Sequence, residues 1–355
     1  MPPALPYTAN RPAQHNGHST YSLVDTFGRI ATDLRVSLTD KCNLRCTYCM
    51  PAEGLHWMPT PHLLTDDEVI RLVRIAVTRL NVTSVRFTGG EPLLRKSLER
   101  IVAATHKTLG PNGQPPSIAL TTNGLGLDKR IDSLVTAGLN RINISLDSMD
   151  PQRYASLSRR ARLEDVLSGI DAAIRAGVAP IKINTVVMPG VNEEDILPLA
   201  TFCLSKGLQL RFIEQMPIGA EGNWDKKSMI TADHILETLS RKITLSPAQS
   251  PRGHAPAELW DATYGEHQGS IGVIAAVTQP FCGTCDRTRL TADGAIRNCL
   301  FAHDEFSLRD MMRNGASDDD LVRAWKDHAY TKAAGHGIND HNFLQPTRTM
   351  SAIGG

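Results

Sequence analysis

What the sequence lacks narrows its role before any motif is read. It lacks a charge excess: the 355 residues sum to a formal +1, which gives no general attraction to nucleic acid or to an anionic membrane. Any anion must then be bound by a few placed Arg and Lys side chains. It lacks an apolar run long enough to span a bilayer, and its N-terminus has neither the basic nor the apolar region of a signal peptide. Cytoplasm is therefore the expected location, with no membrane and no nucleic acid among the expected partners. It also lacks internal repeats beyond an alternation of strand-like and helix-like segments. Apolar residues at 41% and charged residues at 21% are ordinary for a globular chain, and the length calls for one large domain plus a smaller one.

Cysteine is where the sequence departs from the ordinary. Six of the seven cysteines fall into two tight groups, Cys42, Cys46 and Cys49, then Cys282, Cys285 and Cys299. In a cytosolic protein such groups more often bind metal or do redox chemistry than form structural disulfides. Cys203 stands apart in an amphipathic helical pattern and reads as a buried apolar residue.

Residues 1–20 are rich in Pro and polar residues, have no apolar period, and read as a flexible arm. From about Asp33, strand candidates (DLRVSLT, SVRFTGG, SIALTTNG, RINISLD, IKINTVV and LQLRFIEQM) alternate with helical runs such as TDDEVIRLVRIAVTRL. Thr65 and Glu68 of that run make a capping box, and later helices begin near Leu163 and Asn192. Six β–α units imply a parallel sheet with right-handed crossovers, open or curled into a partial barrel. After about Met216 the rhythm breaks. A Gly- and Asn-containing stretch leads to a short helix near Thr231–Leu239, and a strand-like IGVIAAVT precedes the second cysteine group. The expected division is an arm at 1–20, a barrel at 21–227 and a C-terminal α+β domain at 228–355.

Strand polarity favours the barrel. Buried parallel strands are usually apolar on both faces. Here Arg35, Ser37 and Thr39 share one face with Arg86 and Thr88, with Asn143, Ser145 and Asp147, and with Lys182 and Asn184. Val36, Leu38, Val85, Phe87, Ile142, Ile144 and Leu146 take the other, which helices would cover. The polar face then needs something polar to enclose. Its cations outnumber its obvious carboxylate, Asp147, so an anionic ligand is one natural partner. Pairing with loop carboxylates such as Glu91 is the other.

The first cysteine group, KCNLRCTYCMP, has the spacing C-x3-C-x2-C. A [4Fe–4S] cluster normally takes four cysteines, so three leave one iron open to a small molecule. Structural zinc completed by His56 is the competing assignment. The second group has C-x2-C, thirteen residues, then Cys299. It allows a cluster with an open iron, an auxiliary electron-transfer cluster, or zinc completed by a distant His. His254 and His336 show no ligand spacing.

CNLRCTYC after the first strand, with Gly89, Gly90, Glu91 and Pro92 after the second, closely resembles the radical S-adenosylmethionine superfamily. FCGTCDRTRL with CLF downstream, RFIEQM after the sixth strand and the terminal Gly-Gly resemble the GTP 3′,8-cyclase family within it, from about Thr26 to Gly355. The resemblance implies an α/β fold: a partial (β/α)6 TIM-like barrel with a smaller C-terminal domain. It implies two [4Fe–4S] clusters and S-adenosyl-L-methionine as cofactors. The implied activity is formation of 3′,8-cyclo-7,8-dihydro-GTP, the first step of molybdenum cofactor synthesis, begun when a 5′-deoxyadenosyl radical takes the ribose C3′ hydrogen.

Site roles carried over by motif are equally specific. Cys42, Cys46 and Cys49 would hold the cluster that cleaves S-adenosylmethionine, with Tyr48, Gly90, Ser145 and Met216 around that cofactor. Gly90 would serve by letting bare backbone approach the ligand. Cys282, Cys285 and Cys299 would hold the second cluster, whose open iron takes the guanine base. Arg35, Arg86, Thr121 and Lys182 would line the GTP pocket with Arg287, Thr288 and Arg289, of which Arg287 and Arg289 count among the catalytic residues. Guanidinium forks suit triphosphate oxygens. Arg211 has no motif-level reason to join them. Gly354 and Gly355 would reach into the pocket. Further family expectations are a flavodoxin- or ferredoxin-type electron donor, handover of product to the next enzyme of molybdopterin synthesis, and a homodimer. The competing functions are a radical enzyme that modifies a peptide and a non-enzymatic iron–sulfur or zinc regulator.

Overall fold

The structure is a computed structural model describing residues 22–219 and 224–354. The arm at 1–20 and Gly355 lie outside the described residues.

Six strands run β1 (Asp33–Ser37), β2 (Ser84–Thr88), β3 (Ser117–Thr122), β4 (Arg141–Ser145), β5 (Ile181–Val187) and β6 (Gln209–Glu214), each beside the next. All five pairings are parallel. Parallel neighbours need a crossover between them, and the connection from β1 to β2, for example, carries the helix Asp66–Arg79. Its start is fixed by the expected capping box: Glu68 N donates to Thr65 Oγ1 at 3.2 Å while Thr65 N donates to Glu68 Oε2 at 2.8 Å. The outer faces of the strands bury Val36, Val85, Phe87, Ile142 and Ile144 in one core with Leu72, Ile75, Ile101 and Ile170 from the helices. Each such side chain stabilises the fold by roughly 1.5–3 kcal/mol.

The sheet is curled rather than open. Arg35 on β1 and Arg211 on β6, from opposite margins of the six strands, line one interior cavity. The partial barrel expected from strand polarity is the observed architecture.

The later strands are β7 (Thr244–Pro247), β8 (Glu258–Tyr264), β9 (His267–Ile274), β10 (Arg287–Leu290), β11 (Ala295–Arg297) and β12 (Phe306–Ser307). They join the barrel sheet at both margins: β9 pairs parallel with β6 and carries the antiparallel β8 and β7, while β10 pairs parallel with β1 and carries β11 and β12. Glu214 fastens the first of these joints. Its fully buried carboxylate accepts from the backbone N–H groups of Ala232, Val277 and Thr278, each at 2.9 Å. No helix among the described residues is long and apolar enough to cross a membrane.

Candidate active site

The barrel encloses a cavity of about 470 Å3, lined by both cysteine groups and by the polar strand faces. Its character follows from three parts: a loop at the strand ends, a second loop delivered by β10 and β11, and a row of cations between them.

Cys42, Cys46 and Cys49 lie on the loop after β1, all as free thiols and half-buried. Backbone bonds fix this loop from both sides. Arg45 N donates to Ser158 O at 3.0 Å and Thr47 N to Leu157 O at 2.9 Å, while Gly90 N donates to Thr39 O at 2.7 Å and Glu91 N to Lys41 O at 2.8 Å. A Cβ at Gly90 would fall on the carbonyl oxygens of Asp40 and Lys41. Gly90 lines the cavity, and the lack of a side chain there also serves the packing of the cysteine loop.

Burial pushes the Cys46 thiol well up and the Cys49 thiol to about 12, and it raises Cys42 as well. Thiols in such a place become ligands when a cationic centre stabilises the thiolates. Among the described residues no three His, Cys, Asp or Glu side chains converge on a point where one ion would sit. A cubane does not ask for that, since each cysteine binds a different iron.

Tyr48 of the same loop donates from Oη to Asp147 Oδ2 at 2.8 Å, and Val186 N donates to Asp147 Oδ1 at 2.9 Å. Burial raises the Asp147 carboxyl to about 6. Tyr48, Gly90, Ser145 and Met216 all line the cavity, Met216 in the apolar cluster that also holds Cys299.

Cys282 and Cys285 sit at a short 3-10 turn before β10, and Cys299 follows β11. Arg29 donates from Nη1 to Cys282 O at 2.7 Å. Arg287 donates to Cys285 Sγ from Nε at 3.3 Å and from Nη2 at 3.2 Å, and its guanidinium lies 4.7 Å from the Phe281 ring centre. Burial would raise the Cys285 thiol, but Arg287 and Lys332 beside it bring it down to about 7.

Pairing of β10 with β1 and of β1 with β2 sets Arg289, Arg35 and Arg86 side by side on adjacent strands. Like charges so placed repel. Lys182, Arg141 and Arg211 line the same cavity. Burial, with mutual repulsion added, lowers Arg35, takes Arg86 and Arg289 to about 9 and Arg211 to about 10, and brings Lys182 to about 7. The Nε atoms of Arg35, Arg86, Arg141 and Arg211 and Nη1 of Arg86 are buried without a hydrogen-bond partner.

Loop carboxylates do not neutralise this row. Glu91 accepts from Asn123 N and Thr122 Oγ1, both at 2.7 Å, and from Leu93 N at 2.9 Å. Its carboxyl, raised to about 7 by burial, ties the end of β2 to the end of β3. Asp147 serves Tyr48. Asp33 gives Arg35 one weak contact at 3.8 Å. Buried cations in this state call for an anion from outside.

The C-terminal segment closes the chamber. Ser37 Oγ donates to Ile353 O at 2.7 Å and Arg289 Nη1 to Gly354 O at 2.6 Å. Gly354 has φ +82°, and a Cβ there would meet Ser37 Oγ and Thr88 Cγ2. Further back, Arg348 pairs with Asp293 at 2.9 Å and Glu305 at 2.6 Å.

Among the described side chains carried over by motif as cluster, cofactor or GTP contacts, Thr288 is the one the structure does not bring to the cavity. Alternation along β10 turns it to the outer face, where its Oγ1 accepts from Trp325 Nε1 at 3.1 Å; only its backbone is left for a ligand. Thr121 does line the cavity. Arg141 was missed, although it lies two residues before Asn143 and so on the same strand face. Arg211, which no motif marks, lines the cavity, as does Asn184. Cys203 is fully buried in the helix Ile196–Ser205, away from the site. His254 and His336 line the cavity, each with a ring nitrogen on a backbone carbonyl, Thr284 O at 2.8 Å and Ala276 O at 3.0 Å.

Comparison with known proteins gives two family matches. Residues 36–203 match the radical SAM superfamily, and residues 208–338 match Molybdenum Cofactor Synthesis C. The chain is 62% identical over 336 residues to GTP 3′,8-cyclase of Corynebacterium glutamicum, covering 94% of this chain and 89% of that protein. It is 56% identical over 348 residues to GTP 3′,8-cyclase of Mycobacterium sp. (strain KMS), covering 98% and 97%. Among solved structures, Streptococcus suis SuiB bound to S-adenosylmethionine superposes with a TM-score of 0.56 at 14% identity, over 84% of this chain and 65% of that one. That likeness concerns the fold alone.

Proposed function

The chain belongs to the GTP 3′,8-cyclase family of radical SAM enzymes, and we propose that its barrel cavity converts GTP to (8S)-3′,8-cyclo-7,8-dihydroguanosine 5′-triphosphate, the opening step of molybdenum cofactor synthesis. The observation that carries this reading is the row of buried cations, with unpartnered N–H groups, in the one cavity that both cysteine groups line.

Cys42, Cys46 and Cys49 would hold a [4Fe–4S] cluster, and Cys282, Cys285 and Cys299 a second. When bound, the first cluster and S-adenosylmethionine would supply the radical chemistry that opens the reaction at C3′ of the ribose. The rest is positioning by the chain. Arg35, Arg86, Lys182, Arg211 and Arg289 take the triphosphate charge, with Thr121 beside them. Fixing the phosphates at the cation row fixes where the ribose lies relative to Tyr48, Gly90, Ser145 and Met216, which surround the cofactor. The base is directed toward Cys282, Cys285 and Cys299. Residues 348–354 shut the chamber against water and oxygen. Two electrons per turnover, one to cleave S-adenosylmethionine and one to reduce the cyclised nucleotide, come from a low-potential flavodoxin- or ferredoxin-type donor, and the product passes to the next enzyme of molybdopterin synthesis from a homodimer.

Anaerobic reconstitution with iron and sulfide, then incubation with dithionite, S-adenosylmethionine and GTP, tests this. Expected are about eight irons per chain, 5′-deoxyadenosine, and a cyclised nucleotide isomeric with GTP, of the same mass and separated from it by chromatography. Zinc in place of iron at both cysteine groups, or 5′-deoxyadenosine without cyclised nucleotide, overturns it.

A further inference from the structure

Lys332 follows the helix Asp318–Tyr330 and is buried, an uncommon place for an ammonium unless its donors are met. An ammonium has three N–H donors. Here Nζ lies 3.0 Å from Cys285 O, 2.9 Å from Arg287 O and 3.3 Å from Cys285 Sγ. Two of these bonds secure the backbone at the start of β10. The third is directed at a sulfur that Arg287 already approaches with two N–H groups.

The first cysteine group is treated differently. Cys42 Sγ accepts from Leu44 N at 3.5 Å and from Asn123 Nδ2 at 3.8 Å, and Cys46 and Cys49 have Tyr48 and the Ser351 backbone as donors; all are neutral, and Arg45 acts on Cys42 without bonding its sulfur. A reduced iron–sulfur cluster carries one more negative charge than an oxidised one. Hydrogen bonds and cations at its sulfurs favour that state and raise the potential. The two halves of the cavity therefore give their sulfurs unequal electrostatic support.

We infer that Lys332 is a positioning residue that raises the reduction potential of the second cluster by donating to the Cys285 sulfur. The inference rests on the proposed second cluster. It adds an order between the two centres, in which the one facing the guanine base is the easier to reduce. Neither the cysteine spacing nor the RTR motif marks Lys332, because the residue reaches the site from a helix end 47 positions beyond Cys285.

The test is an EPR-monitored redox titration of the reconstituted full chain, with the first cluster as internal control. Lys332→Met is expected to make the second midpoint more negative by roughly the worth of one charge-assisted hydrogen bond. That is about tenfold in the reduction equilibrium, or about 59 mV for one electron. The first midpoint should stay in place, and Lys332→Arg should restore most of the shift. An unchanged second midpoint in a Lys332→Met protein carrying about eight irons overturns the inference. Should Lys332→Met fail to load the second cluster, Lys332→Gln keeps an N–H donor without the charge and is titrated in its place. Loss of the cluster in that variant too makes Lys332 a structural clamp and also overturns the inference. About four irons in the wild-type chain would instead sink the second cluster itself, a failure of the proposed function that is distinct from an unmoved midpoint.

Discussion

Arg289 Nη1 donates to the carbonyl oxygen of Gly354 across 2.6 Å, joining the strand beside the cation row to the penultimate residue of the chain. A buried guanidinium is thus met by the protein's own backbone, and the tail becomes part of the chamber wall.

The tail should accordingly matter for chemistry and little for metal. Deleting Gly354 and Gly355 is expected to abolish cyclised product while iron content stays at the wild-type level. Gly354→Ala places a Cβ against Ser37 and Thr88 at a positive φ, and should lower turnover on the order of 100-fold through misplacement of the lining. Product separated from GTP by chromatography and quantified by mass spectrometry, beside an iron assay, decides the matter. Full turnover by the deletion variant would show the tail to be dispensable.

Arg86→Met should separate stability from binding. The side chain is buried, with Nε and Nη1 unpartnered, so its removal is expected to leave the ligand-free protein as stable or more so. GTP affinity should fall by about 1.5–3 kcal/mol, the worth of a hydrogen bond to a charged group. Thermal melts with and without GTP read both effects. A destabilised apo protein with an unaltered GTP-induced shift contradicts the assignment.

Lys182 predicts a proton linkage. Burial, then Arg211, Arg141 and Arg86, bring it to about 7, so above that pH it is mostly neutral in the empty cavity. A bound triphosphate favours the ammonium and raises that value again. Binding should then take up a proton between about pH 8 and 9, and affinity should fall as pH rises through this window. Calorimetry in buffers of differing ionisation enthalpy would register the uptake, and Lys182→Met should abolish it. Equal uptake in the variant would assign the proton elsewhere.

Replacing Cys282, Cys285 and Cys299 together by Ala should halve the iron from about eight to about four per chain. Reductive cleavage of S-adenosylmethionine should survive and the cyclised nucleotide should disappear. Retention of the full iron content would mean that the second group is not a cluster site.

Much of this architecture was legible along the chain. The six barrel strands and the Thr65 capping box depend on neighbours in sequence, and a period of two separated the cavity face from the core face. Arg141 is legible by the same rule, two residues before Asn143 on the same strand face. Thr288 went the other way: carried over with its motif as a block, it was separated from Arg287 and Arg289 by the alternation of β10. What local pattern could not give were long-range pairings. The register of β10 on β1, which seats Arg289 beside Arg35, joins residues some 250 positions apart. The tail's hold on Ser37 and the reach of Lys332 to Cys285 are of the same kind.

The placement of β9 and β10 on the two margins of the barrel sheet has a consequence for how the chain comes to rest. A nascent polypeptide that has made only β1 to β6 presents two raw strands with unpaired N–H and C=O groups, ready to template association with other chains. The later strands cover both, so the barrel becomes safe from sticking only once most of the polypeptide exists. Fragments ending near Met216 should precipitate where the whole chain does not.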